Sequence, residues 1–388
     1  MSADHDDVPC FALTVPGLEK LAAAEIEQRL DASVKRTESG LVVFRCETLD
    51  RRLFRLRLVE DLYLLAWGSD ALTYRSSDLK LITQWTRREA DWEKLFRLHR
   101  TVTPKLRGKP SYHLVAQMRG EHGYRRVDLR EALVAGLRGK IPDSWVYRDE
   151  GAAVEIWLRI EGRRAICGLR LTDDRMRHRQ YKDEHLPASL RPVVAATMVR
   201  LARLEPTERL VDPLCGAGTI LAERLAEERA APVLGGDCDR QAVRAALINL
   251  RHFRDEPLLV RWDATELPLA NGSVTCLVSN PPFGKQIGAA DELGPFYHEL
   301  VEEFDRVLAP GGRAVVLVGD DLAFQKPAAR RAWMQEERVR LRLLGQPCFI
   351  LCFRKPTTPS AGTSARPDRT PPSRSAAPAS HRGRHPSE

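Results

Sequence analysis

The sequence predicts an α/β protein, with a Rossmann-like, mostly parallel sheet of seven strands in the C-terminal half and a smaller α+β region before it. Three observations predict this. Between residues 186 and 356, short apolar runs alternate with helix-period segments, as strands do when helices cover both faces of their sheet. Two runs end in special turns: the glycine-rich "LVDPLCGAGTI" (210–220), and "NPPFG", which follows "VTCLVS" (274–279). The last two runs, "RVRLRLL" (338–344) and "PCFILCF" (347–353), are separated by "GQ" and read as an antiparallel hairpin at one edge.

Taken in order, the strands of this half are expected at 209–212, 232–236, 258–262, 274–279 and 313–319, followed by the hairpin. Helical patterns lie at 219–229, 240–253 and 296–308, and "APGG" stops the last of them. In the first half, "CFALTV" (10–15) and "GLVVFRC" flank the amphipathic "GLEKLAAAEIEQRL". "SYHLVAQM", the helical "VDLREALVAGLRGKI", "AAVEIWLRI" and "RRAICGLRL" form a second small α/β unit. From Thr357 onward the chain is rich in Pro, Ser, Ala and Arg without apolar periodicity, which reads as a disordered basic tail (357–388).

Composition narrows the classes. Hydrophobic residues make up 43% and charged residues 29%, an ordinary balance for a soluble globular chain. The acidic start "MSADHDDVPC" lacks the apolar stretch of a secretory signal, and no run approaches the ~18–20 residues of a membrane span. Eight cysteines occur without C-x-x-C, and Cys348 and Cys352 sit in an apolar strand. Reduced, buried thiols and a cytoplasmic location are the expectation. The histidines form neither H-x-x-x-H nor H-E-x-x-H, so no metal site is expected. The net charge of +8 is uneven: residues 87–130 carry +7, residues 186–356 are neutral and the tail carries +3. The excess, with Trp92, Tyr112 and Tyr124 among the charges, points to a polyanionic partner.

The chemistry concentrates at the predicted strand ends, where open α/β sheets bind ligands. Gly216 and Gly218 let the backbone approach a ligand closely. A dinucleotide fits poorly, because position 221 is Leu rather than a third small residue, and Asp212 would repel a pyrophosphate. A cationic, phosphate-free ligand such as S-adenosylmethionine suits that carboxylate, and its own carboxylate suits the start of a helix. Asp237 can accept both ribose hydroxyls, and Asp263 can accept an adenine amino group. Any one of these aspartates could be a plain N-cap, but three at successive strand ends form a pattern.

Pro281 and Pro282 cannot donate to a sheet ladder, so they end the strand and hold Asn280 and Phe283 on a rigid turn. The Asn280 side-chain oxygen and the Pro281 carbonyl can both accept from one exocyclic amino group, aiming its lone pair at a methyl donor. Phe283 offers a face for the base, which has to be unstacked to reach the site. Cys215, inside the glycine turn, reads as a packing residue rather than a nucleophile. Lys285 could touch a phosphate or simply be solvated.

With these residues in order, "DPLCGAGT", "GGDCD", "RWDAT", "NPPFGKQIG" and "LAPGGRAVVLV", the C-terminal half resembles the class I S-adenosylmethionine-dependent methyltransferases that modify exocyclic amino groups. "EHLPASLRPVVAATMVRLA" before the glycine turn narrows the resemblance to the THUMP-domain RNA guanine-N2 methyltransferases. "VEIWLRIEGRRAICGLRLT" is similar to the closing strands of a THUMP domain. The resemblance implies a ferredoxin-like unit (1–60), a THUMP RNA-binding domain (61–185) and the methyltransferase domain (186–356). It assigns the cofactor to Asp212, Gly216, Gly218, Thr219, Asp237, Asp263 and Ala264, and the amino-group chemistry to Asn280, Pro281, Pro282 and Phe283.

The implied reaction is methyl transfer to N2 of a guanosine, in the acceptor-stem region of tRNA. A monomer with RNA as partner is expected, with room for a small activating subunit such as some eukaryotic relatives use. The alternatives are an rRNA guanine-N2 methyltransferase, a DNA adenine-N6 methyltransferase sharing "NPPF", and a non-catalytic RNA-binding protein.

Overall fold

The structure, a computed structural model, describes residues 7–103, 109–187, 189–227, 231–254, 257–283 and 293–357. Lys285 and the tail from residue 358 lie outside the described residues. The first half contains β1 (Val8–Leu13), α1 (Glu19–Arg29), β2 (Ala32–Glu38), β3 (Leu41–Cys46), β4 (Asp61–Ser69), α2 (Asp78–Arg88), α3 (Trp92–Val102) and β5 (Ser111–Arg119). It continues with α4 (Arg126–Leu137), β6 (Val146–Tyr147), β7 (Val154–Glu161) and β8 (Arg164–Arg170). All eight strands share one sheet in the order β2-β3-β1-β4-β8-β7-β5-β6.

Strand β4 makes that sheet continuous, pairing antiparallel with β1 on one side and β8 on the other. Helix α3, inside the basic stretch, starts at Asp91, whose side chain accepts from the Lys94 amide (3.0 Å), the usual N-cap contact. The main core joins Ile26 of α1, Trp92 of α3 and Leu133 of α4 to Phe44, Leu64 and Ile156 of the sheet.

After the short helix α5 (Asp174–His178) comes α6 (Pro192–Leu201), with Pro192 in its first turn, where no amide donor is needed. Then follow β9 (Leu210–Asp212), α7 (Thr219–Leu225), β10 (Leu234–Asp237), α8 (Arg240–Leu250), β11 (Leu258–Arg261) and β12 (Val274–Ser279). The half closes with α9 (Leu293–Val307), β13 (Leu308–Val318), α10 (Asp321–Arg330), β14 (Met334–Leu343) and β15 (Gln346–Arg354). The sheet order is β11-β10-β9-β12-β13-β15-β14. Its first five strands are parallel, and the closing hairpin is antiparallel at the edge, as expected.

Alternation along these strands feeds two cores. Cys276, Val278, Val315, Leu317 and Ile350 pack under α6, α7 and α8, whereas Leu277, Val316, Val318 and Phe353 pack under α9 and α10. Cys348 and Cys352 fall on the first face, and both are free thiols. The strand order reverses between β9 and β12, so a crevice opens at their carboxyl ends.

The two halves are in contact. Val15 and Leu18 join the core under α6, and the Arg342 amide of the edge strand β14 donates to the Pro16 carbonyl (3.1 Å). Gly17 (φ +103°) sits against the backbone of Arg340 and Leu341, where any Cβ would collide. A polar joint completes the contact. Glu223 of α7, its side chain fully buried, accepts from Arg57 Nη2 (2.6 Å), Arg179 Nε (3.2 Å) and the Tyr181 hydroxyl (2.6 Å). Among the described residues no helix is long and apolar enough to cross a membrane.

Candidate active site

Strand β9 delivers Asp212 to the crevice, and the chain then turns through Pro213–Gly218 into α7. Gly216 and Gly218 both adopt left-handed backbone (φ +51° and +77°). Gly218 needs its missing side chain for packing, since a Cβ there would lie 3.1 Å from Ala246 of α8. Gly216 faces space instead: a Cβ there would meet no described atom within 4 Å. The turn is pinned by Asn249 of α8, buried, whose Nδ2 donates to the Ala217 carbonyl (2.9 Å) and to the Glu184 carbonyl (3.1 Å).

Asp237 ends β10. Its Oδ2 accepts from the Gly216 amide (3.0 Å) and its Oδ1 from the Asp239 amide (3.0 Å), so the carboxylate is locked beside the turn. Asp263 follows β11, is exposed, and accepts through Oδ1 from the Thr265 amide and hydroxyl (2.9 and 2.7 Å). That contact is the local turn bond which makes a lone aspartate weak evidence. Between these two lies a wall absent from the expected set. Trp262 donates from Nε1 to the Pro213 carbonyl (2.9 Å), and its ring closes over Gly236, where a Cβ would come within 2.5 Å of it. Ala264 and Thr219 are buried.

The electrostatics centre on Asp212, which is 1% exposed. Its Oδ1 accepts from the Ser279 hydroxyl (2.8 Å) and the Leu214 amide (3.2 Å), while its buried Oδ2 has no partner among the described residues. Burial pushes the carboxyl up to about 7; the Ser279 and Leu214 hydrogen bonds pull the other way, and the nearby Asp237 charge adds to the rise. Ser279 is the last residue of β12 and immediately precedes Asn280. This one hydroxyl therefore ties the end of β9 to the "NPPF" turn. Asn280 Oδ1 is likewise buried and unpartnered among the described residues.

Buried acceptors without donors are costly and uncommon, so two of them at adjacent strand ends mark a place built for a donor-bearing ligand. Pro282 is held by the Tyr297 hydroxyl, which donates to its carbonyl (3.4 Å). The Phe283 ring rests on Gly319, just past β13, where a Cβ would lie 3.5 Å from the ring. Cys215 is buried and burial raises its thiol well above the ordinary range, the opposite of an activated nucleophile. The described residues contain no cluster of three or more metal-ligating side chains.

The structure therefore brings Asp212, Gly216, Asp237, Asn280 and Phe283 to one edge of one sheet. Asp263 lies at the next strand end with a purely local partner. Ser279, Trp262, Asn249 and Gly319 complete the site without having been foreseen. Only the adjacency of Ser279 to Asn280 was visible beforehand.

Known proteins share sequence and fold with this chain. Residues 179–346 match the family model described as the RMKL-like methyltransferase domain. A bovine relative, tRNA (guanine(6)-N(2))-methyltransferase THUMP3, is 34% identical over 187 residues, 45% of this chain and 37% of its own length. The chain thus spans well under half the length of that curated relative. A Thermus thermophilus relative, tRNA (guanine(6)-N2)-methyltransferase, is 27% identical over 79% of this chain and 88% of its own length. The crystal structure of TrmN from Thermus thermophilus shares the fold, with a TM-score of 0.73 at 23% identity over 90% of this chain and 99% of that one. SMU.472, solved in complex with SAH, gives 0.68 at 17% identity over 89% and 98%. Residues 179–346 are thus similar along their length to the RMKL-like methyltransferase domain.

Proposed function

We propose that the chain is an RNA methyltransferase that transfers a methyl group from S-adenosylmethionine to the exocyclic N2 of a guanosine in tRNA. The observation that carries this reading is the pair of buried acceptors at neighbouring strand ends, Asp212 Oδ2 and Asn280 Oδ1, that have no partner among the described residues. When bound, the cofactor supplies an electrophilic methyl group on a positively charged sulfur.

On this reading Asp212 meets the positive end of the cofactor, and the open face of Gly216 admits it. Asp237 takes the ribose hydroxyls, with Trp262 and Ala264 forming the apolar wall of the base pocket and Asp263 at its rim. Asn280 Oδ1 accepts from the guanine amino group and stabilises the positive charge that develops as its nitrogen attacks. Phe283, backed by Gly319, stacks on a base swung out of its helix. No general base is required at the moment of transfer, because the nitrogen attacks as a neutral amine and sheds its proton afterwards. Positioning and electrostatics do the catalysis.

The choice of guanine N2 in tRNA follows the bovine and Thermus relatives, whose names specify it. We assign residues 1–60 and 61–185 to a ferredoxin-like and a THUMP unit that grip the RNA, working beside the methyltransferase domain in the cytoplasm. The test is incubation with labelled S-adenosylmethionine and unmodified tRNA, rRNA or DNA, followed by nucleoside analysis. N2-methylguanosine from tRNA is the expected product. N6-methyladenine from DNA would replace the substrate while keeping the Asn280 chemistry, and loss of label transfer to every substrate would count against the reading.

A further inference from the structure

The closing hairpin projects farther over the crevice than the sheet requires. Strands β13 and β15 pair as far as Val318 and Phe349, and Val318 is the last residue of β13. Strands β14 and β15 stay paired for three residues more, Leu341 with Cys348, Arg342 with Pro347 and Leu343 with Gln346. The hairpin thus runs about 10 Å past the end of its neighbour. It does so at the carboxyl edge, because β12 and β13 are parallel and Ser279 pairs beside Val316. Strand β15 is two positions from β12, roughly 10 Å to the side of Asn280. The first half braces the projection: Gly17 packs on the backbone of Arg340 and Leu341, and the Arg342 amide donates to the Pro16 carbonyl (3.1 Å).

The tip carries a residue that suits neither water nor the turn. Leu344 and Gly345 are its two central residues, and both have positive φ (+50° and +81°), a geometry that favours Asn or Asp before Gly. A leucine there has an unfavourable backbone and, at 101% exposure, buries nothing. No other large apolar side chain among the described residues is as exposed. The space around the tip is open, since a Cβ on Gly345 would meet no described atom within 4 Å. Behind the tip, Val339, Leu341 and Leu343 of β14 pack inward, and Arg338, Arg340 and Arg342 alternate with them. Arg338 serves the fold, pairing with Asp321 (2.7 Å) and stacking on Phe349. Arg340 and Arg342 are exposed, and neither side chain has an ion-pair or hydrogen-bond partner among the described residues.

A guanosine in a helix reaches Asn280 only by leaving it, and extrusion costs unpairing and unstacking. Proteins that unstack nucleic acid insert one apolar side chain between base steps and place cations on the neighbouring phosphates. A rigid projection beside the crevice, tipped by a bare leucine and backed by two free guanidinium groups, has that chemistry. We propose that Leu344 is a wedge that enters the RNA stack beside the vacated position and keeps the target guanosine extruded, while Arg340 and Arg342 hold the flanking phosphates. Leu344 is then a positioning residue and never meets the methyl group. The inference rests on the RNA reading above, and it adds that the target nucleotide starts out paired within a helix.

The test compares a paired target with a mismatched one. It uses the full chain, labelled S-adenosylmethionine and an unmodified tRNA in which the methylated guanosine has been mapped. Leu344→Asn gives the turn a residue it prefers, so the variant should melt no lower than wild type. Its kcat/KM for the tRNA should nevertheless fall about 10- to 100-fold. Leu344→Met keeps an apolar wedge and should stay within a few-fold of wild type. A mismatch opposite the target should bring Leu344→Asn back to within a few-fold, a rescue that a merely structural role would not give. The Kd for S-adenosylhomocysteine should stay the same throughout. Arg340→Ala/Arg342→Ala should lower the slope of log K for tRNA against log salt by about 2, and an unchanged slope overturns the phosphate contacts. Wild-type kcat/KM in Leu344→Asn, a loss that the mismatch does not relieve, or a target mapped to a single strand overturns the wedge and leaves the methylation reading standing. A wild type that methylates no RNA overturns that reading, and the wedge with it.

Discussion

Asp212 offers the sharpest prediction because its environment can be turned into a pH profile. The folded protein without cofactor holds this carboxyl up to about 7, since it is buried and lies near the Asp237 charge. A cationic group arriving at Oδ2 requires the carboxylate, so binding releases the proton that occupies part of the population near neutrality. With a free-protein value of about 7, the protonated form outnumbers the carboxylate about tenfold at pH 6 and is a minor species at pH 8. The Kd for S-adenosylhomocysteine, which keeps the amino-acid ammonium, is therefore expected to rise about tenfold from pH 8 to pH 6.

Calorimetry in buffers of different ionisation enthalpy reads both the affinity and the proton released. The same group also affects stability, with a definite sign. Its folded value is raised above the unfolded value near 3.8, so its contribution is complete below pH 4 and is lost as pH climbs through 7. Three pH units correspond to about 4 kcal/mol. Asp212→Asn keeps an acceptor for Ser279 and Leu214 but places a buried amide donor at Oδ2, which costs about 1–3 kcal/mol. The variant should then melt a few degrees higher at pH 8, bind cofactor more weakly, and show no pH dependence between 6 and 8. A flat profile in the wild type, or an unchanged one in Asp212→Asn, would refute the reasoning.

The remaining predictions divide the site by role. Asn280→Ala should lower kcat about 100- to 1000-fold, the usual cost of one transition-state acceptor or donor, while leaving cofactor Kd alone; an equal loss of cofactor affinity would remove Asn280 from the chemistry. Asp237→Ala should weaken cofactor binding about 10- to 100-fold, because a charge-assisted hydrogen bond is lost and the Gly216 amide is released; an unchanged Kd would give the ribose to another carboxylate. Cys215→Ala should keep activity within a few-fold, and a collapse would reinstate the thiol as a nucleophile. Glu223→Ala strands Arg57 and Arg179 at the joint between the halves, and should cost about 3–5 kcal/mol in thermal or urea unfolding; a change below 1 kcal/mol would mean that the joint carries little stability.

The C-terminal half was legible because its signals are local. Alternating runs give β12, β13 and β15, prolines stop β12, and glycines mark the turn after β9, each within a few residues. Strand β4 was illegible for the opposite reason. "DLYLLAWGS" is buried on both faces for its first four residues, so it shows no period of two, and nothing in the chain reveals that it bridges β1 to β8. Helix α3 falls within the charged stretch 87–130, although Trp92, Leu95, Phe96 and Val102 give it a helically spaced buried face.

The candidate site divides in the same way. Asp212, Asp237 and Asn280 could be named from the sequence because each ends a strand whose position was readable. What could not be read is that the Ser279 hydroxyl closes on Asp212 across 67 residues of chain, leaving one carboxylate oxygen and, one residue past Ser279, one amide oxygen without a partner among the described residues. Parallel neighbours β9 and β12 are separated in sequence by two other strands and come together only through the reversal of strand order. Residue types announce what chemistry is available, whereas the unpaired acceptors announce where a ligand belongs. The second statement is a property of burial, and burial exists only once Leu277 and Val211 have paired and the helices have closed over both faces.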